Sequence, residues 1–190
     1  MSENTTGQCS DEQMREILAI AERDTLAGVA VIDAALGSFP DDARLHFLKG
    51  SMLIGEKRFI AAHAAMAKAV TLAPDFHLAR FQLGFFELTS GEAETAKETW
   101  RPLHDLPDGN YLKAFVDGLE HLIGDRFEAC VAALRAGIAI NTENAPLNTD
   151  MQLIIDRCQD LPGGQVTNAD GRPEEVSATS FLLGTGRRPN

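Results

Sequence analysis

Apolar residues along the chain recur at helical spacing and are interrupted at short, regular intervals. Leu45, Leu48 and Met52 form one stripe, broken at 55–58 by Gly-Glu-Lys-Arg. An alanine-rich run over 61–70 then resumes helical spacing and stops before Pro74, since the residue ahead of a proline is pushed out of the helical region. The next stretch repeats the scheme: a helix over 78–89, a turn at Ser90-Gly91 and a helix over 92–103. A third copy runs over 112–123, turns at Gly124-Asp125 and continues over 127–140. Residues 146–158 read as one final helix, and Ser10-Asp11-Glu12-Gln13 as the N-cap of the first. No useful length alternates with period two, so the pattern predicts an all-α chain.

These elements share one period. Gly50, Gly84 and Gly118 are 34 residues apart, as are Phe47, Phe81 and Phe115. Small residues follow the same interval at Gly28, Ala62, Ala96 and Cys130. A fourth column holds Ala35, Ala69, Leu103 and Gly137, and a fifth the large residues Ile32, Met66, Trp100 and Leu134. Four units result, at about 9–42, 43–76, 77–110 and 111–144. A helix pair cannot bury both of its faces alone, so pairs are expected to stack, with small residues where backbones approach closely.

A 34-residue helix–turn–helix carrying Leu83-Gly84, Gly91, Ala96, Pro40 and Pro74 at these places resembles the tetratricopeptide repeat. The resemblance covers roughly 11–144, and 146–158 would cap the end of the stack. The sequence departs from the family pattern where a tryptophan is expected early in the first helix; Glu12, His46, Arg80 and Ala114 stand there. Lys49 and Asp117 replace the leucine before the glycine, Asp108 and Thr142 replace the closing proline, and Glu16 replaces the first glycine. The resemblance implies a right-handed solenoid of about four repeats whose first helices line a concave groove that grips a partner segment. Its groove positions would be Phe47, Ser51, Leu78, Phe81, Phe85, Leu88, Leu112, Phe115, Leu119 and Leu122, although Phe47, Phe81 and Phe115 also read as core residues that stand in for the missing tryptophan. Nearly all are apolar. The family's Lys/Arg/Asn clamp for C-terminal carboxylates is unmatched, so an apolar or amphipathic segment is the expected ligand.

Outside the array, 1–10 read as an N-terminal arm, 11–158 as the helical domain with its cap, and 159–190 as a flexible tail rich in Gly and Pro. The tail holds an apolar island at 176–183, and Phe181, Leu182 and Leu183 are expected to dock in the groove and compete with a partner. Val29, Val31 and Ile32 are expected first as core residues and otherwise as a surface for a possible homo-oligomer.

With 190 residues and 44% hydrophobic content, the chain can bury a sizeable core. Its net charge of −11 repels phosphate backbones and anionic lipid heads, which disfavours nucleic-acid and membrane-surface partners. No run of about 18 apolar residues or basic-then-apolar leader is present. Cys9, Cys130 and Cys158 have no CxxC spacing, which predicts reduced thiols in a cytoplasmic protein. The histidines His46, His63, His77, His104 and His121 make no metal-ligand spacing, and His121 reads as a structural histidine. Gly184-Thr-Gly186 lacks the strand and helix that a phosphate loop requires. The residues thus predict no enzyme, cofactor or metal site. The expected function is a protein-binding adaptor or scaffold. The alternatives are a chaperone resembling those of type III translocator proteins, or an accessory protein serving an enzyme.

Overall fold

The structure, a computed structural model, describes residues 7–160, and among these every regular element is helical. The chain divides into two compact units, Met1–Leu83 and Gly84–Asn190.

In the first unit, α1 (Asp11–Ala21) opens on a capping box: Gln13 N donates to Ser10 Oγ, and Ser10 N donates back to Gln13 Oε1. Four backbone N–H groups at a helix start have no partner within the helix, and this reciprocal pair satisfies two donors. α2 (Thr25–Ser38) is capped by Asp24, α3 (Ala43–Gly55) by Asp42, and α4 (Phe59–Leu72) begins at Arg58 with no side-chain cap. α5 (His77–Thr89) carries the chain into the second unit. There, α6 (Ala93–Trp100) gives way to a 3₁₀ turn over Arg101–Asp105, followed by α7 (Tyr111–Ile123), α8 (Phe127–Ile140) and α9 (Ala145–Asp160).

The helix expected over 92–103 is therefore shorter. Pro102 has no N–H for the helical ladder and its ring crowds the preceding turn, so the chain tightens into 3₁₀ geometry. Leu103 nevertheless stays fully buried. At the other end, α9 extends through residues 159 and 160, which the sequence pattern places in the tail.

The 34-residue period of the sequence reappears in contacts inside the helix hairpins. A Cβ added at Gly50 would sit 2.5 Å from Met66 Cγ, at Gly84 2.3 Å from Trp100 Nε1, and at Gly118 2.5 Å from Leu134 Cδ2. In each hairpin the glycine makes room for the bulky residue sixteen places later, and Met66, Trp100 and Leu134 are all at the core. The turns match as well. Lys57, Gly91 and Asp125 all adopt positive φ (58°, 90° and 54°). The next residue's N–H reaches back five places in each turn: Arg58 to Leu53 O, Glu92 to Glu87 O and Arg126 to His121 O, each at 2.9 Å. This is the Schellman ending of a helix, in which a left-handed residue turns the chain and spare carbonyls find donors.

Only Gly91 takes that conformation without a side-chain penalty. Lys57→Gly is accordingly expected to raise the stability of the first unit by about 1 kcal/mol. Urea unfolding followed by circular dichroism measures it, and a loss of stability would show that the Lys57 backbone is not strained.

Helix starts repeat at the same interval. Asp42, Asn110 and Asn144 stand 34 or 68 residues apart, and each side chain accepts a backbone N–H of the helix that follows. α9, expected only as a cap, thus begins in the register of the first helix of a further hairpin. His46 and Arg80, which stand where the tetratricopeptide pattern has tryptophan, both reach back to a proline carbonyl six places earlier. His46 Nε2 bonds Pro40 O at 2.8 Å, and Arg80 Nη2 donates to Pro74 O at 3.3 Å.

Candidate functional site

The groove positions named from the sequence separate into two groups. Phe81, Leu88, Phe115, Leu119 and Leu122 are at most 1% exposed, and Leu112 is also buried. They are core residues, and for Phe81 and Phe115 this is the core-filling role weighed for them from the sequence. The reason is visible at Phe115, whose ring lies over Gly137: a Cβ there would meet Phe115 Cε1 at 2.4 Å. Phe115 thus fills space against a small residue twenty-two places later, and burial of its apolar area wins over display.

The second group is accessible. In the first unit Phe47 is half-buried, its ring edge-to-face with Phe76 at 5.1 Å, and Ser51, one turn along α3, is exposed and donates to Phe47 O. Leu78 and Phe85, half-buried, lie two turns apart on α5. The first unit also exposes Leu26, Phe59 and Ile60, the last at 91%. Val29 and Ile32 are buried, as the core role expected first for them requires, and Val31 is half-buried. Phe181, Leu182 and Leu183 lie outside the described residues.

Polar clusters were harder to read from the sequence. Asp42 is fully buried, and its carboxylate accepts from Cys9 N (2.9 Å), Arg44 N (3.0 Å) and two nitrogens of the Arg44 guanidinium (3.1 and 2.8 Å). Arg44 also donates to Cys9 O and pairs with Asp11 at 3.2 Å. Residues 9–11, expected as the end of an arm and the start of α1, are thereby clasped to α3. Burial works against the Asp42 charge, but Arg44 and the donated N–H groups hold its carboxyl below the usual range.

In the second unit His104 stands between Asp117 (3.5 Å) and Glu120 (3.0 Å), two ring-nitrogen contacts from one imidazole. Thr99 donates to the buried Glu87 at 2.7 Å. Asn141 ties the α8–α9 connection together, accepting from Glu143 N and Asn144 N and donating to Asn148 Oδ1. His121 accepts from Arg126 Nε at 3.0 Å, in keeping with a structural role. Tyr111 lies edge-to-face on Phe115, and burial, then the Glu143 charge, raises its hydroxyl pKa.

Cys9, Cys130 and Cys158 are free thiols. Cys130 occupies the small-residue column of α8, and its thiol neighbours that of Cys158 on α9. A cavity of about 840 Å³ opens beside Cys158, lined among others by Arg126, Phe127, Glu128 and Arg135.

Among the described residues no group of three or more His, Cys, Asp or Glu side chains could hold a metal ion. No helix among them is long and apolar enough to cross a membrane. No protein-family model and no curated protein matches the chain.

Proposed function

We propose that the chain is a protein-binding adaptor built as a tetratricopeptide-like stack of helix hairpins, and that it captures an apolar or amphipathic segment of another protein. Two features support the repeated hairpin: one glycine-to-bulky contact in three hairpins, and one left-handed turn in the same three, all in a 34-residue register. The observation that carries the binding role is the partial exposure of Phe47, Leu78 and Phe85. Each stands on the first helix of a hairpin, the helix that lines the groove in repeats of this kind. Aromatic and aliphatic anchors on a preformed helical surface suit an apolar segment and bind it with little reorganisation.

Panning a displayed random-peptide library against the full chain tests this reading. The expected binders are apolar or amphipathic peptides whose affinity falls at least tenfold in Phe47→Glu and in Phe85→Glu, with circular dichroism unchanged. Failure to enrich any sequence, or binders indifferent to both substitutions, would overturn it.

A further inference from the structure

Two thiols that the adaptor reading leaves unused meet between α8 and α9. Cys130 is fully buried and Cys158 is 6% exposed, and the two thiols are close neighbours, each the main electrostatic influence on the other. α8 and α9 are packed neighbours, and the cavity that opens beside Cys158 has Cys158 itself in its wall. One member of the pair can thus be reached by a small solute, while the other waits behind it.

We propose that Cys130 and Cys158 form a two-thiol redox site, oxidised by a small hydroperoxide to an intramolecular disulfide that fastens α9 to α8. The Cys158 sulfur attacks one peroxide oxygen: an S–O bond forms, the O–O bond breaks, and for hydrogen peroxide the second oxygen leaves as water with the thiol proton. The Cys130 sulfur then attacks Cys158 Sγ: the S–S bond forms, the S–O bond breaks, and a second water leaves carrying the Cys130 proton. Two thiols and one hydrogen peroxide give one disulfide and two waters; sulfur is oxidised and peroxide oxygen reduced.

The order of attack follows from position. Cys158 stands in the wall of the cavity, where a small peroxide reaches its sulfur, whereas Cys130 is fully buried and absent from that wall. The thiolate is the nucleophile, and the sulfur within reach of the peroxide is that of Cys158, so Cys158 reacts first. The cavity wall carries charges of both signs, Arg126 and Arg135 with Asp125 and Glu128. Cys9 is buried on the first unit, where burial and then the Asp42 charge raise its thiol, which suits it to remain reduced.

To test this, the folded full chain is treated with a few equivalents of hydrogen peroxide and its disulfides are mapped by mass spectrometry without reduction. The expected product has lost two hydrogens, joins the peptide of Cys130 to that of Cys158, and leaves Cys9 free. Closing a loop of 28 residues should raise Tm by roughly 10 °C, and a dithiol should reverse it. Cys130→Ala keeps the small side chain found at Ala62 and Ala96, so it should fold and accumulate a sulfenic acid on Cys158, trapped by dimedone. Cys158→Ser should leave Cys130 unmodified. Independent oxidation of both sulfurs to sulfinic acid, a disulfide involving Cys9, or inert thiols in the folded chain would each overturn the proposal. None of these readouts depends on the adaptor reading.

Discussion

Trp100→Ala is expected to cost about 4 kcal/mol of stability. Trp100 is the chain's single tryptophan, is fully buried at the end of α6, and lies against the bare backbone of Gly84 on α5. Removing the indole forfeits its buried apolar area and leaves a cavity that α5 and α6 can close only in part. The contact has a second test. A Cβ at Gly84 would lie within 2.6 Å of three indole atoms, so Gly84→Ala alone should be destabilising by about 2 kcal/mol, despite alanine's better helix propensity. In the Trp100→Ala background the same methyl enters vacated space and should be neutral or stabilising. Such a reversal is the signature of two residues that touch. Trp100→Leu should fall between, since Leu134 holds the equivalent place against Gly118. Because the variants lack the only tryptophan, unfolding is read by far-ultraviolet circular dichroism. A cost under 1 kcal/mol for Trp100→Ala would mean that the indole does not hold α5 against α6.

Asp42→Ala should cost about 3 kcal/mol, all of it in the first unit. The carboxylate is the N-cap of α3, the partner of Arg44 and the acceptor for Cys9 N. Its loss leaves a buried N–H without an acceptor and a guanidinium with only the exposed Asp11 as its acidic partner. Asp42→Asn retains an acceptor for the helix start and should lose roughly half as much. The charge also fixes the direction of the pH dependence. A carboxyl whose pKa is lower folded than unfolded contributes its full stability above the unfolded value of about 4, and loses it as pH falls through the folded value. The gap between wild type and Asp42→Asn should therefore be constant from pH 5 to 7 and narrow below about pH 4. Amide exchange at residues 9–12 locates the effect. Unchanged protection there in Asp42→Ala would show that the clasp does not order the start of the chain.

The helices were largely legible in the sequence because each carries its own punctuation. Alanine-rich runs end at prolines, turns fall at Ser90-Gly91 and Gly124-Asp125, and the 34-residue columns fix the register. The shortened helix α6 shows a local signal overridden by periodicity: Pro102 lies inside the apolar pattern, yet its missing N–H governs the backbone. The groove was less legible for a geometric reason. On α7, Leu112, Phe115, Val116, Leu119 and Leu122 spread over more than one stripe, and spacing alone does not tell which edge of a broad apolar face turns outward. The Asp42 clasp left no local trace, because it joins residues 33 apart by hydrogen bonds rather than by pattern. Cys130 was legible as a small residue but not as half of a pair, since Cys158 reaches it through the packing of α9 on α8.

The glycine and its bulky partner lie on the two arms of one hairpin, with the left-handed turn between them, so each lock is complete within a single stretch of chain. This sets the step in which the chain can change length. An insertion of a few residues between Gly50 and Met66 would carry one out of reach of the other. A duplicated or deleted segment of 34 residues would give or remove a glycine together with the side chain that fills its hollow. The period is thus a unit of inheritance as well as of packing: a whole hairpin can be gained or lost with its lock intact, whereas a change of length between a glycine and its partner breaks that lock.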